Sequence, residues 1–335
     1  MGDAALAARI DELVRHPISD AAINDARSDA LLTTRVVALL DPLAPVCWRG
    51  IAVWPDGIGP ALAAALDSDP DSLTRLEELV AVEATDAWAQ SRPDRGDPLV
   101  RRLEARQMHV WQRLRGLSGG LPRLIYQLNP LMPCASPLLR GQFTTRLGEL
   151  LPALEVVSAS VDPASVRPLD PHIAAFIAAR AERRLEAEIA SVTDHDEDAI
   201  GAWVQLRLFV ALQARTYPYR LPGLAVWLAR RSAALRDSWQ NRRRRTDTEE
   251  RMRTLAEGGM LAPMLALIED PLARDADTRG AGDAAAAVAR IDAELRRIRT
   301  GGSERAQLAY RLGQEVAAGV GLAALAAVLT VAALG

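Results

Sequence analysis

The last twenty residues, VAAGVGLAALAAVLTVAALG, carry no charge. Such a run has few ways to fold. A helix that crosses a membrane needs about 20 predominantly apolar residues, because it rises about 1.5 Å per residue across roughly 30 Å of hydrocarbon. A surface helix of a globular protein would show a polar face instead, and here Thr330 is the only side chain with a polar group. Composition pulls the other way. Eight of the twenty are Ala and three are Gly; only the four Leu and four Val insert favourably, at about −0.3 to −0.6 kcal/mol each. We expect residues 316–335 to be a transmembrane tail, with Val316, Gly319, Ala323, Ala327 and Val331 spaced along it. A buried or partner-facing apolar helix is the alternative.

Flanking charge gives the orientation. Arg296, Arg297, Arg299, Arg305 and Arg311 precede the run and nothing charged follows it. The positive-inside rule then places the body in the cytoplasm, as a single-pass, tail-anchored protein of a bacterial inner (plasma) membrane. Gly319, Ala323 and Ala327 make a small-xxx-small ridge on which two helices could approach closely. A segment this rich in Ala generates such a ridge easily by chance.

Before the tail, Ala and Leu dominate the apolar residues and aromatics are only 4% of the 335 residues. Both are strong helix formers, and strand-type runs of Val, Ile, Thr and aromatics are scarce. The expected fold is all-α: a helical bundle or irregular helical array ending in the transmembrane helix. Residues 3–15 read as a first helix, ended by Pro17, and a second, capped by Ser19 or Asp20, runs to Leu40. PLAPVCWRGIAVWPDGIGP is a packed loop with a short strand. Helices are expected over residues 72–89 and from Pro98 to Gly116, and on both sides of the proline-punctuated loop that holds Pro130, Pro133 and Pro137.

The stretch SASVDPASVRPLD sets Pro163 and Pro168 among small polar residues and reads as a linker. It divides an N-terminal helical subdomain, 1–157, from a C-terminal one, 171–300, with the linker at 158–170. Asp170-Pro171 opens a helix over residues 171–189, and Asp194 to Asp198 begin the next. Tyr217-Pro218-Tyr219 is a turn. One long helix is expected from Leu221 to Glu257, unless it breaks near Asn241. The last helix before the tail, 284–299, ends at Gly301-Gly302, a joint leading to a juxtamembrane segment, 301–315.

All 40 basic residues are arginine, a bias that GC-rich coding produces. The absence of lysine removes the phosphate-contacting Lys of a Walker A loop, the strand Lys of a protein kinase, and any Schiff-base amine. A net charge of −3 gives no global attraction to nucleic acid. The two cysteines, Cys47 and Cys134, have no CxxC partner, which fits a reducing compartment without a disulfide framework or zinc site.

Several local patterns have both a chemical and a structural reading. Arg242, Arg243, Arg244 and Arg245 form the densest basic run, joined in a basic patch by Arg296, Arg297 and Arg299. Only Trp239 stands near the run and acids interrupt it, so a solvated helix face is favoured over anionic lipid, and nucleic acid is not an expected partner. GLSGG matches G-x-S-x-G around Ser118, but a helix precedes it where a nucleophile elbow needs a strand. TDHDED clusters carboxylates as a helix start does, and lacks the spacing of a calcium loop. The four histidines, His16, His109, His172 and His195, show no metal spacing. Pairing of Cys134 with His109 or His172 is conceivable as nucleophile and base.

We therefore expect no catalytic residues, no metal and no cofactor. The leading expectation is a non-enzymatic interaction or scaffold module at the cytoplasmic face of the membrane. Its partners are the lipid bilayer and another protein or a second copy of itself. A membrane-active effector whose tails oligomerise is the alternative, and an unrecognised enzyme the third.

Overall fold

Ala and Leu supply apolar surface without resisting the helical backbone, and the chain uses them for one helix after another. The computed structural model describes residues 3–15, 25–92, 98–192 and 199–334. Among these the fold is all-α except for one two-stranded hairpin. In chain order the elements are α1 (Asp3–Arg15), α2 (Asp25–Leu40), β1 (Val46–Trp48), β2 (Ile51–Val53), α3 (Ile58–Ser68), α4 (Pro70–Ala81), α5 (Ala84–Ser91), α6 (Pro98–Arg113), α7 (Gly120–Leu128) and α8 (Leu147–Ser158). They continue as α9 (Pro171–Arg180), α10 (Arg183–Ala190), α11 (Ala199–Thr216), α12 (Pro222–Arg231), α13 (Ala233–Asp237), α14 (Arg242–Gly258), α15 (Leu261–Glu269) and α16 (Pro271–Leu334). Pro17, the caps at Ser19 or Asp20, His16, His195 and the acidic TDHDED run lie outside the described residues.

The chain divides into two compact units, Met1–Ser238 with Arg245–Glu269, and Trp239–Arg244 with Asp270–Gly335. The first unit holds two apolar clusters. One gathers Leu31, Trp48, Ile58, Leu62, Leu79 and Trp88 with Leu124 and Ile125 of α7. The other begins one residue later, at Tyr126, and runs through Leu150, Phe176, Phe209 and Trp227 to Ile268. Helix α7 thus serves both cores.

The second core crosses residues 158–170, where a linker is expected: Leu154 and Leu169 lie in the same cluster. The stretch is also tied to α12. Trp227 Nε1 donates to Val166 O at 2.9 Å and Arg231 Nη1 to Ala164 O at 2.8 Å. Glu155 accepts the free N–H groups of Gly223 and Leu224 at 2.9 and 2.7 Å, a carboxylate at the positive end of a helix. Its small polar residues make close packing, and the pattern of Pro and Ser looks the same from sequence in either case.

The PLAPVCWRG segment forms a tight hairpin in which Val46 faces Val53 and Trp48 faces Ile51. Arg49 and Gly50, at φ 45° and 86°, make the two-residue turn. Arg49 and Arg27 both reach Glu78 of α4, at 2.6 and 3.1 Å. Burial opposes ionisation of Glu78, but the hydrogen bonds and charges of the two guanidiniums outweigh it and hold the carboxyl below its ordinary range.

Several helices are shorter than their patterns predict. The helix expected over 72–89 is broken at Glu83, which takes a left-handed conformation (φ 54°) and lets α5 turn its whole surface inward, from Ala84 to Ala89. Extended Ala181 separates α9 from α10, and Ser232 and residues 238–241 divide the expected long helix into α12, α13 and α14. Helices α3 and α15 fall where no helix is expected. After α14, Gly259 sits at φ +71°, where an added Cβ would lie 2.7 Å from Leu221 N. Its carbonyl accepts from Leu221 N and from the buried Gln213 side chain. Gly259→Ala should therefore lower the unfolding free energy by about 2–3 kcal/mol, read as a shifted urea midpoint at unchanged slope.

The second unit is built on α16. Contrary to the expected joint at Gly301-Gly302, the helix runs unbroken through both glycines. Two Gly cost about 1 kcal/mol each relative to Ala and do not stop a helix by themselves. At its base Asp277, buried, accepts from Gln240 N at 2.7 Å and Asn241 N at 3.0 Å, and the Arg274 guanidinium lies 3.9 Å from the Trp239 ring centre. The Asn241 side chain caps Arg243 N at 2.9 Å, which starts α14 at the break near Asn241.

Candidate functional site

The apolar end of α16 is one helix long and apolar enough to cross a membrane, and none of its most apolar window is buried by the chain. Val316, Gly319, Ala323, Ala327 and Val331 are all exposed. An uncovered apolar surface of this size marks a site of contact with a bilayer or another chain. No polar side chain interrupts the surface, since Thr330 turns its hydroxyl back to Ala326 O at 2.6 Å.

The basic patch does not gather in one place. Arg242, Arg243 and Arg244 belong with the base of α16, where Arg244 approaches Asp277 at 3.7 Å. From Asp277 to Val316 the helix continues for about 39 residues, so the run stands roughly 58 Å of helical rise from the apolar stretch. That is several Debye lengths at physiological salt. Arg296, Arg297 and Arg299, all exposed, are nearer, at roughly 25–30 Å by the same rise. Arg305 and Arg311 are the closest basic residues.

The thin enzymatic candidates are placed separately. Ser118 lies in the turn between α6 and α7, bracketed by Gly116 (φ 94°) and Gly120 (φ 70°), so no strand precedes it. His109 on α6 meets Val80 O at 3.3 Å and Glu83 at 3.4 Å. Cys134 and His172 do share a neighbour. The Tyr126 hydroxyl accepts from Ala135 N at 2.8 Å and lies 3.2 Å from His172 Nδ1 and 4.0 Å from Cys134 Sγ. Burial pushes the Cys134 thiol up to about 11 and raises the Tyr126 hydroxyl too. A protonated thiol is a poor nucleophile.

A folded-state value raised above that of the unfolded chain stabilises fully below the unfolded value and is lost as pH rises through the folded one. The stability advantage of the native protein over Cys134→Ala should thus narrow between pH 9 and 11, measured by urea unfolding. Iodoacetamide at pH 8 should modify Cys134 at least tenfold more slowly in the native than in the unfolded chain.

Beside this cluster is a feature absent from the sequence expectations. The 129–146 loop presents Leu131 and Phe143, each 86% exposed, the most exposed large apolar side chains among the described residues. Arg180, from the end of α9, holds both arms. It donates to Pro130 O and Met132 O on either side of Leu131, at 3.0 and 2.8 Å, and to Thr145 O at 3.0 Å. Its guanidinium also lies 4.0 Å from the Phe176 ring centre. Cys134 N donates to Thr144 O at 2.8 Å and ties the arms together. A sequence signal for this region exists: between Glu104 and Glu149 there is no acid, only Arg106, Arg113, Arg115, Arg123, Arg140 and Arg146.

A groove of about 390 Å³ between α12, α13 and α14 is lined by Arg230, Arg236, Arg253, Glu249 and Glu250 around Met252. Arg236 is already paired with Glu249 at 2.5 Å, and no histidine or cysteine faces it. Among the described residues no group of three or more His, Cys, Asp or Glu could hold a metal. No family model, curated protein or solved structure matches the chain.

Proposed function

We propose that this protein is a non-enzymatic interaction or scaffold module held at the cytoplasmic face of a bacterial inner membrane by the apolar end of α16. The carrying observation is that end itself: about 19 uncharged residues, of which 316–331 are exposed. The arginines that precede it support a cytoplasmic body. The Arg180-braced loop supplies the second half of the reading. Leu131 and Phe143 stand out from a loop whose own charged residues, Arg140 and Arg146, are both basic, which suits a partner with an apolar cleft rimmed by carboxylates.

Protease accessibility tests the topology. In intact spheroplasts the body should resist added protease, and it should be digested once the membrane is opened. Digestion in intact spheroplasts would overturn the orientation. The exposed ridge of Gly319, Ala323 and Ala327 favours a second reading, a membrane-active effector. That reading requires growth arrest on expression that disappears when residues 316–335 are deleted.

A further inference from the structure

Between its base and its apolar end α16 runs for about 40 residues with almost every described side chain exposed, including Val288, Ile291, Leu295, Ile298 and Leu312. Helices in proteins owe most of their stability to packing of an apolar face, and among the described residues these apolar side chains are exposed. Its apolar residues are not scattered. Ala281, Ala284, Val288, Ile291, Leu295 and Ile298 follow steps of three and four, the heptad pattern whose a and d positions form the seam of a coiled coil. Gly302 and Arg305 interrupt the seam once. It resumes at Ala309, Leu312 and Val316 and continues onto Gly319 and Ala323.

The charges obey the same frame. With Val288 and Leu295 at a, the outward b and c positions take Arg290, Arg296, Arg297, Glu304 and Arg311. Glu294 falls at g and Arg299 at the following e. In a parallel, in-register assembly of identical helices, g of one copy faces the next e of its neighbour, so Glu294 meets Arg299 with opposite charge.

We propose that α16 is the stalk of a parallel homo-oligomer, in which copies of this chain pack along the 281–298 seam and carry it through Leu312 into the small-residue ridge of the apolar end. Isoleucine at d, with leucine at one a position, directs such seams towards three or four strands rather than two. The parallel orientation rests on the anchor reading above, since spans entering one membrane in one direction align their stalks; the pairing itself does not.

The test is cysteine cross-linking of the full chain in lipid vesicles at low protein density, on a Cys47→Ser background. Val288→Cys and Leu295→Cys should each form disulfide dimers about tenfold faster than the outward Ala293→Cys and Arg297→Cys. Glu294→Arg should slow the Leu295→Cys reaction, and Glu294→Arg with Arg299→Glu should restore it. Equal rates at seam and outward positions, or no dimer at any, would overturn the stalk. Linking at only one seam position would mean antiparallel pairing and overturn the proposal as stated. Seam-specific linking in protein that fails to float with the vesicles would uphold the oligomer and overturn the anchor.

Discussion

Deleting residues 316–335 should convert the protein from one retained in membranes after carbonate extraction to one wholly in the supernatant. The free-energy margin makes this a sharp test. Four Leu and four Val contribute about −0.3 to −0.6 kcal/mol each, so the whole run gains only a few kcal/mol on insertion. One central charge costs about as much, roughly 2.5–3.5 kcal/mol on the insertion scale. Leu325→Arg, near the middle of the run, should therefore release the full-length protein nearly as completely as the deletion. The same substitution distinguishes a bilayer from a protein groove, because a groove tolerates a long side chain that can bend its charge to the edge. Retention of the deleted chain in the membrane pellet would place the attachment elsewhere, and a soluble full-length chain would remove the anchor altogether.

The parts of the fold that could be read from sequence are those written in local chemistry. Asp170 caps α9 through Ile173 N at 2.8 Å with Pro171 at the first helical position, whereas α6 ends at Arg113, before Gly116, whose positive φ belongs to the following turn. The apolar run at 316–334 needs no context. The misread parts were decided by tertiary packing. Helix α5 is buried from Ala84 to Ala89, so it shows little period and merges with α4 in a pattern search; nothing local predicts that Glu83 turns left-handed. In 158–170 the prolines and small polar residues look solvated, yet Trp227 and Arg231 hydrogen-bond there from more than 60 residues away. The stalk escaped for a different reason. Alanines crowd 284–289 and blur the heptad, and paired glycines suggest an end, although the three-four spacing resumes in the same frame at Ala309.

The candidate site divides in the same way. The apolar residues of the C-terminal run are legible one by one, whereas the exposed loop is visible only once Arg180 is seen to brace it. Arg180 is the least replaceable residue of that region. Its three donated hydrogen bonds, to Pro130, Met132 and Thr145, join α9 to the loop, and its guanidinium lies 5.5 and 4.0 Å from the ring centres of Tyr126 and Phe176. Burial pulls the guanidinium below its ordinary value, yet it starts so high that it stays charged at any working pH. Truncation in Arg180→Ala would leave three carbonyls without their donor and a gap over two rings. Hydrogen bonds to charged groups are worth about 1.5–3 kcal/mol each, and ring contacts add about 1 kcal/mol. Exposed carbonyls recover part of this from water, so a loss of about 3–4 kcal/mol is expected in urea unfolding. Lysine keeps the charge but lacks the planar fork, so Arg180→Lys should recover less than half of the loss. Amide exchange adds a readout that a general destabilisation would not give. In native buffer, protection should collapse at Cys134, whose N–H pairs with Thr144 O, while α11 amides in the same core keep theirs. Equal loss at both places would mean that Arg180 supports the whole core, and that the Leu131 and Phe143 surface is not set independently of it.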